Sequence, residues 1–289
     1  MVYEKAVGMR RSGGSVLVMA LAATVLAGCG DDGPPADPAF RPEAGTCHQV
    51  APWNTSPDFY HPTTCTGPHL TEIVHVGSFE GPDAQMEDPP EHGTKALRRA
   101  YDKCDTAATG YVGAQWRTAR MSLAVSTPSA SGWEAGQRWY RCDLSEIESI
   151  DQPNLADRSS PLRNVLKSES PLRHGCYNVR VDSGTPSLVP SSCATPHNAE
   201  FVGVTHAIER PTNGYDFDEE SLNDQCDRVA VDYTETDHNE FVVRLRTFWW
   251  QPREANWEMG DRGMLCFLYD EDGSLTRSLR DVTITGLPA

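Results

Sequence analysis

Eight of the nine cysteines form two groups of four with nearly the same spacing. This pattern restricts the fold more than any other feature of the 289-residue chain. Successive gaps are 18, 39 and 38 residues in the first group and 17, 33 and 40 in the second. Matching gaps of this kind predict an internal duplication. The groups are Cys47, Cys65, Cys104 and Cys142, followed by Cys176, Cys193, Cys226 and Cys266.

The residues around the cysteines repeat as well. Residues 65–74 and 193–202 share the pattern Cys-x-x-Pro-His-x-x-Glu-x-Val and align without a gap. Residues 133–142 and 257–266 share Trp-x-x-Gly-x-Arg-x-x-x-Cys, again without a gap. Because both patterns occur in the same order in each half, the chain is predicted to contain two tandem repeats.

The N-terminus has the features of a bacterial lipoprotein signal. Basic residues precede an apolar run at residues 16–27, which is too short to span a bilayer that needs about 20 residues. The run ends in Leu-Ala-Gly-Cys29, which resembles the lipobox before a lipid-modified cysteine. We therefore expect residues 1–28 to be a cleaved signal peptide and Cys29 to carry the lipid. Residues 29–44 would then form a flexible tether at the extracytoplasmic face of the bacterial cell membrane.

Export would place the remaining eight cysteines in an oxidising compartment, where disulfides persist. Zinc sites usually contain a close cysteine pair, whereas these cysteines lie at least 17 residues apart. We therefore expect two disulfides in each repeat, each stabilising the fold by about 2–4 kcal/mol. Pairing first with second and third with fourth is favoured, because those loops are the simplest to close. Pairing first with fourth and second with third stays open.

The charge and hydrophobic content of the chain exclude two broad classes of protein. The 41 acidic residues outnumber the 25 basic ones and give a net charge of −16, which offers no general attraction for nucleic acid. Hydrophobic residues make up 38% of the chain, which excludes a protein with many membrane spans.

Hydrophobic periodicity predicts the order strand, strand, helix, strand, strand in each repeat. In the first repeat, residues 72–79 are rich in β-branched side chains, and residues 92–108 place apolar side chains at helical spacing. A helix between two pairs of strands is typical of an α+β fold in which the helix covers one face of a small sheet. We predict repeats at 45–144 and 174–289, a linker at 145–173 with a short helix near 162–167, and a final strand at 282–285.

The Pro-His-x-x-Glu segments, with His69 and Glu72 in one copy and His197 and Glu200 in the other, are the sharpest candidates for chemistry. Such a pair could act as a base with its partner or could bind a metal. Residues three apart on a strand point to opposite faces, so the two side chains would not converge without a turn. We favour a structural role and keep a histidine-lined metal patch as the alternative. Further histidines in these segments are His48, His75 and His206.

Two other sets of side chains are candidates for binding. Arg138 and Arg262 could hold a carboxylate or phosphate, although a structural clamp on the nearby Trp or an internal acid is favoured. Trp249 and Trp250 are neighbours on a predicted strand and therefore face opposite sides, so one of them could contact a partner or glycan. The sequence contains no Gly-x-Ser-x-Gly elbow and no glycine-rich phosphate loop, so it predicts no catalytic nucleophile or nucleotide site.

The two repeated patterns together resemble the septum formation domain family of actinobacterial cell-envelope proteins. The resemblance covers about residues 45–269. It implies a role in septation at the cell envelope, and it implies no particular chemistry for any residue.

These observations favour a lipid-anchored binding or scaffolding protein of the cell envelope, linked to septum formation through the resemblance. We expect it to associate with the membrane through the lipid on Cys29, and with an envelope protein, a division protein or a cell-wall glycan. No metal or other cofactor is expected. The alternative hypothesis is an envelope metal-dependent enzyme, or a metal or ligand sensor, built on the Pro-His-x-x-Glu segments.

Replacing the predicted lipidated cysteine tests the anchoring directly. The thioether to lipid cannot form in Cys29→Ser, so the protein should leave the membrane fraction when cells are fractionated and probed by immunoblot. Retention of Cys29→Ser in the membrane fraction at the wild-type level would contradict the lipid anchor.

Overall fold

Repeat 1 is a small antiparallel sheet covered on one face by a long helix. In the computed structural model the strands follow the order β1-β2-β4-β3 across the sheet, and every neighbouring pair is antiparallel. The elements are β1 (Cys47–His48), β2 (Thr71–Ser78), α1 (Lys95–Val112), β3 (Met121–Ser126), α2 (Ala130–Glu134) and β4 (Trp139–Glu146). Short 3-10 helices lie at Gly81–Gln85 and Trp116–Thr118.

Repeat 2 has the same arrangement with one additional strand. Its sheet order is β6-β5-β7-β9-β8, so removal of the edge strand β6 leaves the order found in repeat 1. Its elements are β5 (Cys176–Asp182), β6 (Thr185–Ser191), β7 (Ala199–His206), α3 (Glu219–Thr234), β8 (Arg246–Trp250), α4 (Glu254–Met259) and β9 (Gly263–Tyr269). The predicted α+β fold of two disulfide-bonded repeats is thereby confirmed. Strand β6 and the short helices α2 and α4 are additions to the predicted order.

The structure describes residues 37–53, 59–182, 185–208, 216–236, 245–270 and 275–280. The predicted signal peptide, Cys29 and the predicted strand at 282–285 lie outside these ranges. Among the described residues, no helix combines the length and the apolar character that a membrane crossing requires.

The long helix of repeat 1 is defined by its caps and by one buried face. The side chain of Thr94 accepts a hydrogen bond from the Leu97 backbone N–H at 3.2 Å, which satisfies one of the free donors of the first turn. The helix ends at Gly113, whose φ of 92° is accessible to glycine without strain. Its buried face, which includes Tyr101, packs in one core with Leu144 of β4.

Two disulfides fasten each repeat at equivalent places. Cys104 of α1 is bonded to Cys142 of β4, and Cys226 of α3 is bonded to Cys266 of β9. The other two bonds, Cys47–Cys65 and Cys176–Cys193, close the segments that join the first strand of each repeat to β2 and β7. This is the pairing of first with second and third with fourth that the sequence favours.

Residues 145–173 connect the repeats and also complete the core of repeat 1. Leu162, Leu166 and Leu172 are buried with the α1 side chains. The backbone N–H of Leu166 donates to Val112 O at 2.9 Å, which holds the segment against the end of α1. Turns replace the short helix expected near 162–167, because Asn164 adopts a left-handed φ of 61°.

Removing the bond between helix and sheet tests how far repeat 1 depends on it. The Cys104→Ala/Cys142→Ala variant opens a loop of 38 residues. Closing such a loop stabilises by about 4 kcal/mol through the entropy of the unfolded chain, so the free energy of unfolding in urea should fall by that amount. Cys47→Ala/Cys65→Ala, with the shorter loop of 18 residues, should cost slightly less. A loss below about 1 kcal/mol for the first variant would contradict this role.

Candidate functional site

The first Pro-His-x-x-Glu segment forms a buried hydrogen-bonded anchor. Glu72 is 1% exposed, and its carboxylate accepts hydrogen bonds from Tyr111 OH at 2.7 Å and from the Leu162 backbone N–H at 2.6 Å. His69 Nε2 lies 3.1 Å from the same carboxylate, and His69 Nδ1 donates to Gly67 O at 2.8 Å. The two side chains converge because β2 starts at Thr71 and His69 lies in the loop before it, rather than on the same strand as Glu72.

The second copy is built the same way with one exchange of side chain. Glu200 is 1% exposed and accepts hydrogen bonds from the Leu279 backbone N–H at 2.8 Å, from Tyr233 OH and from Ser278 OH. Ser278 therefore takes the place that His69 has in repeat 1. His197 Nδ1 donates to Thr195 O at 2.7 Å, and its Nε2 is buried without a hydrogen-bond partner among the described residues.

The anchors show that each repeat extends further than its last cysteine. Arg163 stacks on the Tyr111 ring at 4.5 Å, and Arg280 stacks on the Tyr233 ring at 4.6 Å. Residues 158–163 and 275–280 thus occupy equivalent places, one after each sheet, and each supplies a backbone N–H to a buried glutamate. In both repeats the buried glutamate therefore holds the segment that follows the sheet against the sheet.

The histidines do not assemble a metal site within the part of the chain that the structure describes. The two groups of potential ligands each combine a glutamate with two cysteines, Cys47 and Cys65 or Cys176 and Cys193. Those cysteines are bonded to each other, so no thiolate is available. Burial lowers the pKa of His48 to about 4, aided by the charges of Arg141 and His61.

The Trp-x-x-Gly-x-Arg segments form structural clamps. The guanidinium of Arg138 lies 4.0 Å from the centre of the Trp133 ring, and that of Arg262 lies 3.8 Å from the centre of the Trp257 ring. Each Arg donates to the backbone carbonyl of its own Trp at 2.6 Å. These contacts occupy Nη1 of both side chains, and Arg138 Nε also donates to Ala84 O at 2.7 Å, so each guanidinium is held within its own repeat. The glycines of the turns have positive φ, 100° at Gly136 and 131° at Gly260, a conformation that favours glycine.

A buried ion pair joins the two repeats. Arg117, in the 3-10 helix before β3, is 5% exposed, and its Nε and Nη2 donate to Asp261 of repeat 2 at 3.0 and 2.7 Å. Its Nη1 donates to Asp105 of α1, and its guanidinium stacks on the Trp116 ring at 4.2 Å. The Arg117 Nη2 also donates to Tyr101 OH at 3.2 Å.

The charge of this network is fixed by its neighbours. Burial by itself lowers the pKa of Arg117, but Tyr101, Asp261 and Asp105 outweigh this effect and raise the pKa above its ordinary value. Burial and the negative charge of Asp261 also raise the pKa of Tyr101 well above its ordinary value. Arg117 is therefore a permanent cation held by carboxylates from both repeats.

A groove with a cavity volume of 660 Å³ opens beside this ion pair, between repeat 1 and repeat 2. Its volume lies within the usual range for ligand sites in proteins. All six residues of β3 line one side of it, and residues 250–253, 255 and 256 line the other side. Large apolar side chains dominate its surface: Trp53, Trp116, Met121, Trp250, Met259 and Leu265.

The two neighbouring tryptophans of β8 have different surroundings. Trp250 lines the groove. Trp249 faces the other side of the strand, where its ring packs edge-on against Phe217 at 5.3 Å and its Nε1 donates to Asn223 at 2.9 Å. The sequence named both tryptophans as candidates and gave no reason to prefer either; whether Trp250 binds a partner stays a prediction.

Sequence reasoning missed the Arg117–Asp261 pair and the groove. Asp261 lies in a repeated pattern, and the equivalent residue of repeat 1 is Gln137. That difference between otherwise matching segments was the available signal. At this position repeat 2 has the carboxylate of Asp261, which binds Arg117, and repeat 1 has the amide of Gln137.

Fold and site together define a duplicated, disulfide-bonded α+β protein with a groove between its repeats. A family model described as septum formation matches residues 44–266, from before the first cysteine of repeat 1 to the last cysteine of repeat 2. The chain belongs to the septum formation family. No curated protein and no solved structure matches the chain.

Removing the carboxylate of the inter-repeat pair tests its importance. Asp261→Ala leaves the buried charge of Arg117 without its main partner, which should lower the free energy of unfolding by about 3–5 kcal/mol in urea denaturation. Arg117→Met combined with Asp261→Ala should recover part of that loss, because no uncompensated charge stays buried. The exposed Asp157→Ala serves as the control and should change stability by at most about 0.5 kcal/mol. A cost below about 1 kcal/mol for Asp261→Ala would contradict this role of the ion pair.

Proposed function

We propose that this protein is a lipid-anchored binding protein at the extracytoplasmic face of the cell membrane, and that it acts in septum formation by binding a partner in the groove between its repeats. The observation that carries the proposal is the groove itself. The groove is concave and mostly apolar, has a volume of 660 Å³, and is lined by three tryptophans. Aromatic side chains in concave surfaces supply much of the binding energy at protein interfaces.

The family membership supports a role in septum formation, and the disulfides support a location outside the cytoplasm. Membership of the septum formation family links the chain to septation. Four disulfides suit an oxidising compartment outside the cytoplasm. Both lines agree with the lipoprotein signal that ends at Cys29.

The contacts of Asp37 and Phe40 limit how far the protein could reach from its predicted anchor. Gln137 Nε2 donates to Asp37 O at 2.7 Å, and Phe40 packs edge-on against Tyr60 at 5.2 Å, so the chain is attached to repeat 1 from Asp37 onward. Asp37 follows the predicted lipidated Cys29 by eight residues. Eight residues span at most about 29 Å, which would keep the groove near the membrane.

The contacts of the buried anchors argue against the metal-dependent enzyme. Both ring nitrogens of His69 lie within hydrogen-bond distance of a partner, and Glu72, at 1% exposure, accepts hydrogen bonds from Tyr111 OH and the Leu162 backbone N–H. A catalytic base or ligand must reach its substrate or metal. The groove lined by the described residues lies between the two repeats rather than in each of them, which fits a shared binding surface better than two equivalent sites.

Truncation of the groove tryptophan, with its neighbour as a matched control, tests the proposed function. In native cells that lack the wild-type gene, Trp250→Ala should reproduce the septation defect of the deletion, because it removes a wall of the groove. Trp249→Ala removes a ring of the same size from the opposite face and should support normal septation, although it should lower the unfolding temperature. Septa are counted by microscopy, and immunoblots confirm equal protein levels. Normal septation with Trp250→Ala would contradict the proposal.

A further inference from the structure

The strand that lines the groove is an unpaired sheet edge. β3 is the last strand in the order β1-β2-β4-β3, and it pairs with β4 along all six of its residues. On its other side no strand pairs with it among the residues described. Every residue of β3, Met121–Ser126, lines the groove, so the unpaired edge borders the cavity. Such an edge is a template for another extended chain.

Two other sheet edges are protected in ways that β3 is not. β1 has only two residues, and the backbone N–H of Thr63 already donates to Cys47 O at 2.7 Å. β6 contains Pro186 and Pro190, which have no N–H to offer a further strand. β3 has the sequence Met-Ser-Leu-Ala-Val-Ser, without proline or charge. Natural proteins usually protect an edge strand of this length with proline, charge or a covering element, and β3 has neither proline nor charge.

The opposite side of the groove suits the side chains of an added strand. Trp250, Pro252, Met259 and Leu265 form an apolar surface across from β3. Side chains on a strand alternate between the two faces, so every second side chain of a chain paired with β3 would point to the same face. A partner segment of about six residues, about 20 Å long when extended, could pair along the whole of β3.

The charges of the groove favour a partner that contains a carboxylate. Three charged residues line it, and two of them, Arg117 and Asp261, neutralise each other at 2.7 Å. The third, Arg253, is exposed at the rim, and no acidic partner contacts it in the described part of the chain. The chain as a whole has a net charge of −16. An uncompensated cation at this groove is therefore complementary to an acidic side chain or terminus.

We infer that an extended polypeptide segment, with apolar side chains and a carboxylate, binds in the groove by adding a fifth strand to the sheet of repeat 1 at β3. Backbone hydrogen bonds to the free edge supply affinity, the apolar wall at Trp250 selects alternate side chains, and Arg253 receives the carboxylate. This inference rests on the proposed function of the groove and names the chemistry of its partner.

Selection from a library of random dodecapeptides displayed on phage, with the full-length protein in detergent as the target, tests the inference. Ser122 lines the groove and alternates with the core residues Met121 and Leu123, so Ser122→Tyr places a large side chain on the face of β3 away from the core of repeat 1 and serves for counter-selection. Ser168→Tyr, at an exposed position away from the groove, is the matched control. The selected peptides should contain at least one Asp or Glu. They should bind wild type and Ser168→Tyr equally, and bind Ser122→Tyr at least tenfold more weakly.

Two changes separate strand addition from contact through side chains alone. Methylation of every second backbone nitrogen of a selected peptide should abolish binding in one register and leave it intact in the other, because only alternate N–H groups point to β3. Arg253→Glu should weaken binding about tenfold, and exchange of the peptide acid for Lys should restore it. Peptides that tolerate methylation in both registers would overturn the inference, as would a selection that yields none able to distinguish Ser122→Tyr from wild type.

The septation assay distinguishes failure of this inference from failure of the proposed function. If Ser122→Tyr blocks septation in cells but no peptide binds, the groove acts in septation and strand addition is wrong. If peptides bind as described but Ser122→Tyr cells septate normally, strand addition stands and the proposed function is wrong.

Discussion

The buried pair of Arg117 and Asp261 is the interaction on which the arrangement of the two repeats depends. A guanidinium at 5% exposure is tolerated only when carboxylates neutralise it, and one of those carboxylates comes from the other repeat. The turn at residues 260–263 must therefore lie against α1 and the 3-10 helix of repeat 1. Glycines permit this approach, since a Cβ on Gly263 would lie 2.2 Å from Arg117 Nε and a Cβ on Gly260 would lie 3.0 Å from Tyr101 Cβ. This contact holds the two repeats together beside the groove that β3 lines.

The two repeats share the contacts that hold each fold together and differ in their edges and in the contact between them. Both retain the disulfide between helix and sheet, the Arg–Trp clamp and the buried glutamate that fixes a following segment. They differ where repeat 2 has β6, where Ser278 replaces a histidine at the buried glutamate, and where Asp261 replaces the glutamine found at Gln137. The last of these differences provides the carboxylate of the inter-repeat contact. A duplicated structural unit has thus become one body with two unequal halves.

The sequence was informative where a local pattern determines a local structure. The spacing of the cysteines favoured the observed pairing, and the period of the apolar residues located α1 to within a few residues. The role of Leu162 and Leu166 was not visible, because a segment rich in Ser and Pro reads as a linker when its few leucines have no regular spacing. The exchange of Gln137 for Asp261 marked one member of the ion pair, but nothing in the sequence pointed to Arg117, which lies 144 residues away. The groove was not predicted either, because residues from both repeats line it.

Calorimetry of the mature protein with its disulfides intact tests most directly whether the repeats form one body. Because the ion pair and the contacts around it join the two cores, the protein should unfold in a single transition, with equal calorimetric and van't Hoff enthalpies. Two separate transitions, one for each repeat, would contradict the account, because a groove between independently unfolding halves would have no fixed shape.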